Sequence, residues 1–127
     1  MTPGENTSHA VSALQSAAER IRRLEDEARE ALFIRNDPEA HRQKLQEKTM
    51  LLMELSELVD PFYDGMPEDV RAEFKTGLNS FAMRAAQAME LSSIFYMSAL
   101  LYPEDYREGD PNDLELFIDR LRTRYLS

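Results

Sequence analysis

A chain of 127 residues suits one ordinary domain, and a composition 43% hydrophobic and 31% charged is that of a globular protein. A formal charge of -9, with bases interleaved among acids, offers no basic face for phosphates and argues against nucleic-acid binding. The absence of cysteine excludes disulfides and cysteine-ligated metal sites, and it fits a cytoplasmic, reducing setting.

The opening MTPGENTSHA has no basic region followed by an apolar core, so no secretory signal is expected. Residues 1–8, with Pro3, Gly4 and Asn6 and no apolar periodicity after Met1, are expected to form a disordered tail ending in a Ser8 cap. Residues 9–127 then form a single helical domain. Its first helix spans about 8–35, because Leu14, Ala17, Ile21, Leu24, Ala28 and Ala31 return at spacings of three and four. Val11, Ala18 and Leu32 widen that stripe, while Glu19–Arg23 and Glu25–Arg29 make acid-first pairs one turn apart.

Asn36-Asp37-Pro38 supplies a cap followed by proline at the first helical position, where its missing N–H costs nothing. The second helix spans 38–59 on Leu45, Thr49, Leu52, Leu55 and Val59, with Met50, Leu51, Met53 and Leu58 adding apolar surface. Two prolines and a glycine between Asp60 and Pro67 make a turn. A long third helix follows over 67–101, on Val70, Phe74, Leu78, Phe81, Ala85, Ala88, Ser92, Phe95 and Ala99, with a bend possible at Gly77. The last helix spans 111–126 after Asp110-Pro111 and turns Leu114, Phe117, Ile118, Leu121 and Tyr125 inward. No run alternates with period two long enough to make a strand. The fold class expected is all-α, a four-helix antiparallel bundle or related helical array with one long third helix.

Reactive chemistry finds few groups to work with. The two histidines, His9 and His41, belong to no HxxxH, HExxH or ExxH pattern, and His41 is expected to be satisfied by Asp37 one turn away. Asp60-x-Phe62-x-Asp64-Gly65 resembles the start of a calcium loop, but Phe62 cannot coordinate and Arg71 stands where the closing glutamate belongs. Glu54 and Glu57 are spaced for a carboxylate pair, and Glu90 is expected to face solvent or pair with Arg20 or Arg84. Glycines 4, 65, 77 and 109 are isolated and make no phosphate cradle. No catalytic residue, metal site or cofactor is assigned, and the charged and polar residues within 85–103 argue against a membrane span.

The remaining signal is apolar. The third helix ends nearly apolar all round, and the second is greasy over more than one side. Methionine and aromatic side chains serve adaptable interfaces and ordinary cores alike. Met50, Met53, Leu58, Met89, Phe95, Tyr96, Met97 and Tyr102 are the expected partner-binding set, in a module that binds another protein or pairs as a homodimer. A cavity near Phe74, Phe81 and Met89, holding a small ligand or cofactor, is the alternative. Acids between Glu104 and Asp119 form a patch able to steer a basic partner.

Overall fold

The computed structural model describes residues 3–126. Among them lie six α-helices and no strand: α1 (Pro3–Phe33), α2 (Pro38–Met53), α3 (Leu55–Val59), α4 (Glu68–Glu90), α5 (Ile94–Ala99) and α6 (Asp113–Tyr125), with a 3-10 turn at Asp60–Phe62. The all-α expectation therefore holds as a helical array, with more and shorter helices than the periodicity alone suggests.

The core follows the helical spacing. The six stripe residues of α1 are buried, as are Val11 and Ala18. Leu45, Thr49, Leu52, Leu55 and Val59 are buried on α2 and α3, and Leu114, Phe117, Ile118 and Leu121 on α6. At one end of the array Ala28, Leu45, Ala88 and Met97 pack together. At the other, Asn6 donates to the Asp64 carbonyl at 2.5 Å. The two junctions show that α2 and α3 descend alongside α1 and that α4 climbs back. Contacts of Arg22 with Glu115 and of Arg122 with Gln15 set α6 antiparallel to α1.

The N-terminal tail is the first correction. Residues 3–8 are helical, and Asn6 and Thr7 are buried; residues 1 and 2 lie outside the described residues. The bond from Asn6 to Asp64 ties this segment to the 60–66 turn, a structural role that apolar periodicity does not register. The second helix is also interrupted, turning at Glu54 (φ -99°, ψ 2°) between α2 and α3. Asp37 caps α2 as expected, accepting from the Ala40 N–H at 3.1 Å. The final helix starts at Asp113, two residues later than expected, because Asn112 and Glu115 form a reciprocal capping box.

The long third helix is the correction with functional weight. Its inward line holds from Val70 through Ala88, and α4 then ends in a reverse-turn cap. The Ser93 N–H donates to the Ala88 carbonyl at 3.3 Å and the Ser92 N–H to that of Met89 at 3.0 Å, with Ser92 left-handed at φ 50°. This is the six-to-one and five-to-two bonding of a Schellman end, with serine in place of the usual glycine. Ser93 then caps α5 through its hydroxyl, which accepts from the Tyr96 N–H at 3.1 Å. Restarting the helix changes its phase. Met97 becomes fully buried, while Phe95 and Ala99, inward on a continuous helix, are exposed.

Gly77 does not break α4, which runs through it. Its hydrogen side lies against α6: a Cβ placed there would sit 2.3 Å from Cε1 of Phe117. The glycine lets an aromatic ring rest on the helix backbone, and the Phe117 ring meets Phe81 edge to face at 5.7 Å.

Candidate functional site

Two features are built where α1, α2, α4 and α5 converge: a buried polar centre and, beside it, an apolar groove. Tyr102 borders both.

Lys48 anchors the polar centre. It falls three residues after Leu45 and four before Leu52, on the inward side of α2, and its side chain is fully buried. The ammonium sits 2.9 Å from Oε2 of Glu25 on α1. It also donates to the carbonyls of Ser98 at 3.2 Å and Leu100 at 3.1 Å. One ion pair and two hydrogen bonds therefore tie α1, α2 and the end of α5 together. Burial pushes the Lys48 ammonium below the ordinary lysine range, with Glu25 pulling the other way. The Tyr102 hydroxyl donates to Oε1 of Glu25 at 2.5 Å; burial first, and then this bond, raises the tyrosine above its usual range.

Arg22 extends the network. Its Nε and Nη2 grip the Glu115 carboxylate at 3.1 and 2.6 Å. Nη1 reaches the hydroxyls of Tyr102 and Tyr106, each at 3.3 Å, and Nη2 also donates to the Asp110 carbonyl at 3.1 Å. All five guanidinium donors are thereby used. The Arg22 bond, together with the Asn112 backbone N–H, holds Glu115 below the usual carboxylate range against the opposing effect of burial.

The sign of that shift makes a prediction. A carboxylate whose folded value lies below its unfolded value of 4.5 stabilises the fold fully above that pH, and the contribution fades as pH falls through the depressed folded value. Glu115→Gln should therefore lower stability at neutral pH and flatten the acid limb below pH 4.5, as read by urea unfolding at stepped pH. An acid limb identical to that of the unaltered chain would contradict the assignment.

A cavity of ≈ 480 Å³ opens over this centre and is bordered by His41 and Arg29 as well. Its cationic groups are already engaged. Lys48 and Arg22 are satisfied as described, Arg29 pairs with Asp26 at 2.6 Å, and His41 Nδ1 lies 2.9 Å from the Ala28 carbonyl. The arrangement is a clamp between helices. The His41 ring meets the Ala28 carbonyl of α1 and not the Asp37 carboxylate, which caps α2.

The second feature is a groove of ≈ 740 Å³ along the C-terminal half of α4, α5 and residues 99–103. Leu91, Tyr96, Leu100 and Pro103 form its apolar wall. Leu91 is 64% exposed, Tyr96 54% and Phe95 74%, and Phe95 meets Tyr96 edge to face at 5.4 Å. The Schellman end at Ser92 breaks the helical phase and leaves Phe95 and Tyr96 exposed, while Leu100 packs partly buried against the core.

The expected partner-binding residues divide accordingly. Tyr96 lines the groove, Phe95 lies outside its lining but against the Tyr96 ring, and Tyr102 borders the groove while acting as a strut of the polar centre. Met97 is sealed in the core and Met89 packs partly buried against it, so neither offers a surface comparable to Phe95. Met50, Met53 and Leu58 are about half exposed but do not line the groove. Leu91, absent from the expected set, is central to it. Of the residues expected around a ligand cavity, Phe74 and Phe81 are buried in the core and Met89 packs partly buried against the neighbouring cluster, and none of the three lines either cavity described above.

The candidate reactive groups are dispersed. Glu54, Glu57 and Glu90 are exposed. Arg20 reaches Glu27 and Glu47, and Arg84 lies 3.9 Å from Asp113, so the pairings expected for Glu90 are replaced by others. Among the described residues no three His, Asp or Glu side chains gather in a way that could hold a metal ion, and no helix is long and apolar enough to cross a membrane. No family model, curated protein or solved structure matches the chain.

Proposed function

We propose that this chain is a non-catalytic protein-interaction module, an adaptor, regulator or chaperone that binds another protein chain through the groove between α4 and α5. The observation that carries the reading is that Leu91 and Tyr96, both more than half exposed, line a ≈ 740 Å³ apolar-walled groove, with the exposed Phe95 ring set against Tyr96. Scattered exposed apolar residues are ordinary, but a grouped set bordering a concavity marks a contact surface. Aromatic residues there supply large contact area at small entropic cost.

The reading narrows the sequence expectation. It puts binding at the α4–α5 end and not on α2, whose exposed Met50 and Met53 line neither of the two cavities described above. The polar centre serves it indirectly, since Lys48 holds the Ser98 and Leu100 carbonyls and thereby fixes one wall of the groove.

The test compares the tagged chain with a Leu91→Ser/Phe95→Ser/Tyr96→Ser variant. These side chains are exposed, so helical content should be unchanged. Light scattering of affinity-purified material should show a stoichiometric complex for the unaltered chain and a 14.7 kDa monomer for the variant. Equal complex formation by both would remove the groove from the account.

A further inference from the structure

We infer that the occupant of this groove is a basic, amphipathic helical segment of a different protein; the inference rests on the interaction reading above and specifies its partner. The argument is the charge surrounding the apolar wall. Glu90 and Asp113 both line the groove. At Pro103 the chain leaves the wall and passes directly into the exposed acids Glu104 and Asp105. The one basic residue lining the groove, Arg84, is occupied by Asp113 and by the Ser80 hydroxyl at 3.3 Å.

With Asp113 and Arg84 offsetting each other, Glu90 on the lining and the exposed Glu104 and Asp105 just beyond Pro103 leave an acidic excess beside the apolar wall, which is complementary to a helix with leucine-like residues on one face and lysine or arginine on its flanks. A second copy of this chain fits poorly. It would carry the same acidic rim and the same -9 charge to a twofold interface, setting like charges opposite one another. The remaining acids of the 104–119 region extend the same field and would speed encounter with a basic partner.

The probe is a synthetic peptide of about five helical turns, built of leucine and lysine with leucine at helical spacing. Two companions accompany it: the same pattern with glutamate for lysine, and a shuffled peptide of identical composition. Calorimetry measures affinity, and amide chemical shifts of the isotopically labelled chain locate the site. The lysine peptide should bind and shift residues around 88–103, while both companions should bind at least about tenfold more weakly. Leu91→Ser/Tyr96→Ser should cost about tenfold or more in affinity. Glu104→Gln/Asp105→Asn should mainly slow association and reduce the salt dependence.

Equal binding of the shuffled peptide, or shifts spread away from the groove, would overturn the inference, since either would report mere charge attraction. Binding of the glutamate peptide in the groove, or self-association lost in Leu91→Ser/Tyr96→Ser, would overturn the basic-partner inference and leave the interaction reading standing. Failure of every peptide together with a monomeric mass at high concentration would overturn both.

Discussion

Replacing Lys48 with alanine should destabilise the fold by about 3–5 kcal/mol, the largest effect expected of any single polar substitution in the chain. The ammonium is fully buried and Glu25 nearly so. Alanine would leave a buried carboxylate without its counter-charge and two carbonyls, those of Ser98 and Leu100, without their donor. Removing both charges together is different, because the desolvation of each ion is then relieved. Lys48→Met/Glu25→Leu should recover most of the loss. Urea unfolding of Lys48→Met, Glu25→Leu and the double variant measures the coupling, and strictly additive losses would contradict the clamp.

The direction of the lysine shift agrees. Its folded value lies below the unfolded 10.5, so keeping the charge buried opposes folding at lower pH, and that cost lifts as pH rises through the depressed value. The pair thus specifies the arrangement of α1, α2 and α5 more than it adds net stability. Leu101 depends on that arrangement. Its φ of 79° is unusual for a bulky residue, and it is held between the Leu100 carbonyl bonded to Lys48 and its own carbonyl bonded to the Asp113 N–H at 3.0 Å.

Gly77→Ala should also destabilise, contrary to the rule for a mid-helix glycine. Alanine is favoured over glycine in a helix by about 1 kcal/mol, but here its methyl would lie 2.3 Å from one Phe117 ring carbon and 2.4 Å from another. Phe117 is buried, so the ring can yield only by moving α6 away from α4, and overpacking of this kind costs about 1–3 kcal/mol. The expected net loss is about 2 kcal/mol. Phe117→Leu in the same chain should restore part of it by vacating the ring's space. Thermal unfolding of the single and double variants checks this, and a stabilised Gly77→Ala would show that α6 packs more loosely than the structure has it.

The helical stripes and most of the core were legible because three-and-four spacing survives any tertiary arrangement. What escaped lay where that spacing stops carrying information. The break at Ser92 uses serine in a left-handed position that usually falls to glycine, so the apolar line reads as continuous while the chain changes phase. That single turn moves Met97 inward and Phe95 outward, and it creates the groove. Glu25 was readable as a surface partner of Arg29 four residues later. Its placement on the inward side, four residues after Ile21 and three before Ala28, is the signal that matched Lys48 between Leu45 and Leu52. Asn6 and Thr7 were hidden differently, as buried polar residues in a segment without apolar periodicity.

The interaction account is tested most directly by hydrogen–deuterium exchange of the purified complex against the free chain. Protection gained on binding should concentrate between Met83 and Pro103, at the end of α4, along α5 and in the segment fixed by Lys48. Protection confined to α2, or spread evenly over all six helices, would contradict the assignment of the groove as the contact surface.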